Sequence, residues 1–267
     1  MWSTIGTCRT AAPPTATTQT PMTTKFLAPA TFRYVEFLDL LVDAIYQHRL
    51  TTQSDDSFAM SRHARASVAA AFLTIECLAN CLLEVIDMPN ALRDELDKLQ
   101  PLAKIELALR TRGKLSYDRG RREVQMAVEV IKVRNAYVHS KATKVKAEVH
   151  PPEDAGPEWK IPFAIYPDIW KTLKIPKQSM FWSAEVSYGI LQVVRDFLHY
   201  VLVDVLLADE NLLTTILTSH ITIGNPADAG VVMPGVFDEF KSEIAWLKEQ
   251  KIDFSFLKFV DKAHVHV

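Results

Sequence analysis

The side chains best suited to chemistry lie together in the segment Arg134-Asn135-Ala136-Tyr137-Val138-His139. Arginine carries a permanent charge on a planar fork that matches phosphate oxygens. Histidine titrates near neutral pH and can take or give a proton. Asparagine can orient an imidazole or bind a ligand directly. Together these groups could cleave RNA without a metal. His139 would deprotonate a ribose 2′-hydroxyl, and Arg134 would stabilise charge on the phosphorane-like transition state. The products would be a 2′,3′-cyclic phosphate and a 5′-hydroxyl.

Spacing restricts how this could work. Asn135 and His139 are four apart and share a face of a regular helix. Arg134 is five from His139, about 140° away around the axis. The two converge on one ligand only if the helix ends or distorts here, or if two copies of it face each other.

Basic residues bracket the segment. Arg110, Arg112, Lys114, Arg119, Arg121 and Arg122 precede it, and Lys141, Lys144 and Lys146 follow. In a chain of net charge −2 this clustering is local, and RNA phosphates are its natural partner. Arg119, Arg121, Arg122, Lys141 and Lys144 are the candidate RNA contacts. The competing reading is a solvated helix end, where the dipole favours basic residues. Upstream, Glu76 and Asn80 are four apart on an apolar helix and need partners if buried. Arg134 would serve Glu76 in a catalytic or a purely structural arrangement. Tyr137 could stack on a base or simply pack.

The elements that must position these groups read as helices. Of the 267 residues, 48% are hydrophobic, 23% charged and only 8 are Gly, a balance suited to a globular chain with a sizeable core. Apolar spacing predicts helices over about 30–50, 56–86, 91–99, 102–110, 119–139, 183–207, 212–219 and 236–250. Pro101 suits a first helical turn. The stretch at about 145–180 contains Pro151, Pro152, Pro157, Pro162, Pro167 and Pro176, and reads as an irregular insertion or short β hairpin. Asn225 to Gly235 reads as loop, and Phe254 to Val267 as a docked tail. The expected fold is all-α: an antiparallel helical bundle with this Pro-rich insertion, an extra C-terminal helix and an extension over about 210–267. Residues 26–267 would form a single domain. Residues 1–25, rich in Thr, Ala and Pro, read as a disordered tail with no secretory signal.

Cys8, Cys77 and Cys81 do not form a disulfide framework, which suggests a reduced, cytoplasmic setting. Cys77 and Cys81 share a helix face, but no second ligand pair accompanies them, so no metal site is expected. No nucleotide loop, dinucleotide fingerprint or hydrolase elbow is present, and no cofactor is expected. No apolar run is read as long enough to span a membrane.

The string R-N-x-x-x-H at Arg134, Asn135 and His139, placed late in a helix, resembles the signature of the HEPN superfamily. The upstream helix containing Glu76 and Asn80 is similar to that family's earlier core helix, and 183–207 to its closing helix. The resemblance covers roughly 56–208. It implies a helical bundle that dimerises to bring two motifs into one cleft, with Arg134 and His139 catalytic, Asn135 supporting and Glu76 orienting Arg134. It further implies an endoribonuclease in a toxin or defence setting, with an antitoxin or regulatory protein as a further partner. Other members of the family have lost catalysis and bind RNA, a nucleotide or a protein.

Overall fold

The computed structural model describes residues 29–113, 115–149, 163–223, 231–232 and 235–259. Over these the chain is mostly helical, with short strands. Among the described residues eight α-helices form: α1 Phe37–Gln53, α2 Ser57–Glu84, α3 Asn90–Leu96, α4 Pro101–Gly113, α5 Arg122–Val138, α6 Ala184–His199, α7 Glu210–Leu217 and α8 Gly235–Glu249. The 1–25 tail, much of the Pro-rich stretch and the end of the chain lie outside the described residues.

The long helix α2 is the axis of the fold. Asp56 caps it, its carboxylate accepting from the Phe58 and Ala59 backbone N–H groups, which would otherwise lack partners. Small residues on its buried face, Ala64, Ser67 and Ala71, let α1 approach closely, and Ser67 Oγ donates to the Ala44 carbonyl at 2.7 Å. The turn at 54–56 between α1 and α2 sends them back along each other, burying Leu38, Leu41, Val42 and Ile45 against Val68, Ile75, Leu78 and Leu82. On length and hydropathy alone α2 is sufficient to cross a membrane, which corrects the expectation that no segment is. Within this fold 61% of its apolar window is buried, as in a core helix.

Helices α4, α5 and α6 pack around α2. α5 buries Val124, Ala127, Val130 and Val133, spaced three apart, which turns one stripe inward. α6 runs on into π-helical turns at Tyr200–Val205, closed by Leu206 N–H donating to Val201 O. Leu207 then takes a left-handed backbone, φ 49°, and ends the segment expected as one uniform helix. α8 is integral to the core. Phe240 and Leu247 are buried, and Glu243 pairs with Arg49 of α1 at 2.7 Å. Beside this contact His48 is buried, its Nδ1 2.8 Å from Ser187 Oγ, and burial lowers its imidazole to about 4.

Three strands outside the Pro-rich insertion revise the helix and loop expected at their positions. β1 Ala30–Arg33 stands where the first turn of α1 was expected. It pairs antiparallel with β4 His220–Ile223, which pairs in turn with β5 Val231–Val232 inside the stretch expected as loop. Arg33 anchors this sheet by donating to Glu84 and to the Thr215, Ile216 and Thr218 carbonyls at the end of α7. In the Pro-rich insertion, β2 Lys146–Val149 and β3 Phe163–Tyr166 form a separate antiparallel pair.

Candidate functional site

α5 ends at His139, whose backbone (φ −102°, ψ 44°) leaves the helix while its N–H still donates to Asn135 O at 3.0 Å. The helix end foreseen as one route to convergence is therefore present. His139 is exposed, Arg134 and Asn135 partly buried.

The motif opens into two hollows. The smaller, about 200 Å³, lies between α2, α5 and the turn joining α3 to α4. Arg134, Asn135 and Glu76 line it. Arg134 Nη2 donates to Glu76 Oε2 at 2.9 Å and Nη1 to Asn135 Oδ1 at 3.1 Å, while Nε is shielded from solvent without a partner among the described residues. The two acceptors fix the plane of the guanidinium, and each Nη keeps a second N–H. Glu76 thus meets Arg134 as expected.

Asn80 does not join Arg134. Its Oδ1 accepts from Lys104 Nζ at 2.8 Å, and Lys104 also pairs with Asp97. Lys104 and Asp97 line the same hollow and were not singled out by sequence. The available signal was Lys104 beside Ile105 and four before Ala108, on the buried stripe of α4.

The larger hollow, about 830 Å³, lies between the end of α5 and the loop 168–182. His139, Lys141, Lys144, Lys177, Tyr137, Trp170 and Trp182 line it. The loop is tied to α5 by Leu173 N–H donating to Glu129 Oε2 at 2.6 Å, and is closed on itself by Trp182 Nε1–H donating to Pro176 O at 2.9 Å. Tyr137 lies against Trp182, ring centroids 5.2 Å apart, so packing holds at least one of its faces. Lys177 lies 5.8 Å from the Trp170 ring centre. Lys141 and Lys144 are exposed and have no ion-pair partner among the described residues.

The other candidate RNA contacts lie elsewhere. Arg119, Arg121 and Arg122 sit at the opposite end of α5, about 25 Å from His139 at 1.5 Å per residue. Arg119 Nε donates to Glu106 Oε2 at 2.9 Å, and Arg110 Nη2 to Oε1 of the same carboxylate at 2.8 Å. These guanidiniums hold the Glu106 carboxyl below the usual carboxylate range. Arg121 pairs with Glu123 at 3.2 Å, and its guanidinium lies 4.6 Å from the Tyr200 ring centre. The bracket of positive charge seen in sequence is thus split in space and partly neutralised.

Cys77 and Cys81 place their sulfurs 3.9 Å apart, hydrogen-bonded. No group of three His, Cys, Asp or Glu side chains able to hold a metal occurs among the described residues. The chain matches no protein-family model, no curated protein and no solved structure.

Proposed function

We propose that the protein is a metal-independent endoribonuclease of HEPN type, acting through His139 and Arg134. The observation that carries this reading is the end of α5. There an exposed imidazole stands beside a hollow lined with aromatic rings and with Lys141 and Lys144, which have no ion-pair partner among the described residues, and one turn back an arginine is oriented by a carboxylate and an amide. Rings and cations along one surface suit single-stranded RNA, whose bases stack while its phosphates meet the lysines. His139 would take the proton of a ribose 2′-hydroxyl as its oxygen attacks phosphorus. The bond from phosphorus to the 5′-oxygen breaks, and that oxygen takes a proton from a protonated imidazole, His139 of a second copy. Arg134 would neutralise charge gathering on the phosphate oxygens.

The helical bundle of HEPN type and its two-fold dimer belong to this proposal. Within one chain Arg134 and His139 face different hollows, and two chains meeting at this face would set one Arg134 opposite the other's His139. The test is RNA cleavage by purified full-length chain with EDTA present. Cleavage should persist, leave 2′,3′-cyclic phosphate ends and vanish in His139→Ala. Diverse RNAs left intact by folded, dimeric protein would sink the enzyme reading, and a monomeric mass by light scattering at micromolar concentration would sink the shared cleft.

The split between hollows favours one second reading, a non-catalytic module of the same type that binds RNA, a nucleotide or a protein. Salt-dependent RNA binding without cleavage would select it.

A further inference from the structure

The smaller hollow holds a cation that the RNA chemistry leaves unused. Only 6% of the Lys104 side chain is exposed. Lysine is almost never buried this far unless paired. Its partners differ in how firmly they are held. Asn80 projects from the rigid helix α2, whereas the Asp97 side chain is 65% exposed on the turn that follows α3. The cation is therefore fixed and its counter-ion is the part free to swing into water.

The charges facing the hollow are Lys98, Lys104 and Arg134 against Glu76 and Asp97, a formal excess of one positive charge. With Asp97 turned outward the remaining balance is +2. Phe72 and Ile131 form apolar parts of the wall, where charge interactions are less screened than in open water. Arg134 offers the spare N–H on each Nη, and Asn135 and Gln100 add amides. The volume of about 200 Å³ suits a single small anion and contrasts with the open groove beside His139.

We propose that this hollow is an oxyanion site that takes one phosphate group between Lys104 Nζ and the Arg134 guanidinium, displacing the Asp97 carboxylate from Lys104. The proposal rests on the RNA reading for the source of that group, a backbone phosphate of the bound strand. Lys104 is then a phosphate-binding residue on the Arg134 side of the site. Asp97 is a competing anion that lowers the positive charge of the site until substrate arrives.

The test is calorimetric titration of the full chain with inorganic phosphate, against chloride at matched ionic strength. Wild type should bind saturably. Lys104→Met should weaken binding at least about tenfold, and Lys104→Arg should keep it within about threefold. Asp97→Asn should tighten it, because the competing charge is gone. That variant changes an exposed side chain, so it tests the site even if Lys104→Met fails to fold. A purely structural Lys104–Asp97 pair predicts no tightening. Absence of saturable binding in wild type, or an unchanged or weaker affinity in Asp97→Asn, overturns the site.

A short oligoribonucleotide should displace the bound phosphate, and failure to do so overturns the assignment to the RNA backbone. The two proposals fail separately. Phosphate binding without RNA cleavage or binding would discard the RNA reading and keep an oxyanion site. RNA cleavage without phosphate binding would do the reverse.

Discussion

The two hollows flanking the end of α5 solve opposite problems. On one side Arg134 with Glu76 and Lys104 with Asp97 form two separate pairs lining one hollow, their cations largely withdrawn from water. On the other His139, Lys141 and Lys144 stand exposed, with rings beside them. A partly buried, hydrogen-bonded guanidinium keeps its geometry but must be compensated at all times. An exposed histidine or lysine keeps its freedom and needs no partner until a ligand comes. Position is built into the Arg134 side and accessibility into the His139 side, so damage to each should fail differently.

The sharpest break of that comparison is at His139. His139→Ala should lower cleavage by about 10²–10⁴-fold, the range for a general acid–base group. RNA affinity and thermal midpoint should stay near wild type, because the side chain is exposed at a helix end. Arg134→Ala should lose cleavage and stability together, since it strands Glu76 beside an apolar wall. If the two variants proved equally stable, the distinction between a built-in and a free half of the motif would be lost.

Comparison of the two halves across pH needs the folded state, and burial of His48 weakens that state in acid. Burial places the folded imidazole at about 4, against 6.5 when it is free. Between those values the unfolded chain binds a proton that the folded chain refuses, so stability falls as pH drops from about 6.5 toward 4. The loss amounts to roughly 3 kcal/mol at the lower end, by the worth of a pKa unit. His48→Asn, measured by urea unfolding from pH 7 to 4.5, should flatten this part of the profile. An unchanged slope would remove His48 as its cause.

Glu76→Gln separates orientation from charge on the Arg134 side. Both partners are about one-third exposed, so the pair is worth less than a fully buried one. We expect a loss of about 1–2 kcal/mol in stability, read from chemical denaturation. Cleavage should fall about tenfold as the guanidinium loses its plane, with RNA affinity unchanged or raised. A rise in cleavage would mean that Glu76 restrains Arg134 and does not position it.

What was legible in sequence divides along the same line between local and distant causes. The span read as 56–86 folds as Ser57–Glu84, because its apolar stripe and its Asp56 cap both act within a turn or two. The Arg134–Glu76 pair follows in sequence from the resemblance of the motif and from the need of a carboxylate on an apolar helix for a partner. β1 was missed because Phe32, Val35 and Leu38 carry helical spacing, whereas its strand geometry is imposed by pairing with His220–Ile223 far along the chain. Lys104 was missed because its burial depends on Asp97 and Asn80 arriving from other elements. The division of the basic bracket in space escapes the sequence for a related reason. The Glu106–Arg110 pair is visible as an i, i+4 spacing, but the capture of Arg119 by the same carboxylate requires a turn that sequence does not display.

The smallest expected effect tests the bracket itself. Lys141 and Lys144 border the larger hollow, whereas Arg119 and Arg121 sit at the far end of α5 beside Glu106 and Glu123. A cation that meets an RNA phosphate releases a counterion, and its removal flattens the salt dependence of binding by about 0.7 in log–log slope for a single strand. Lys141→Ala and Lys144→Ala should each show this decrement in a filter-binding titration across salt, with affinity a few-fold weaker. Arg119→Ala and Arg121→Ala should leave the slope unchanged and alter only local stability. Equal decrements in all four would place RNA along the whole length of α5. No decrement at either lysine would remove the larger hollow from the binding surface, leaving the exposed imidazole without the strand it is proposed to act on.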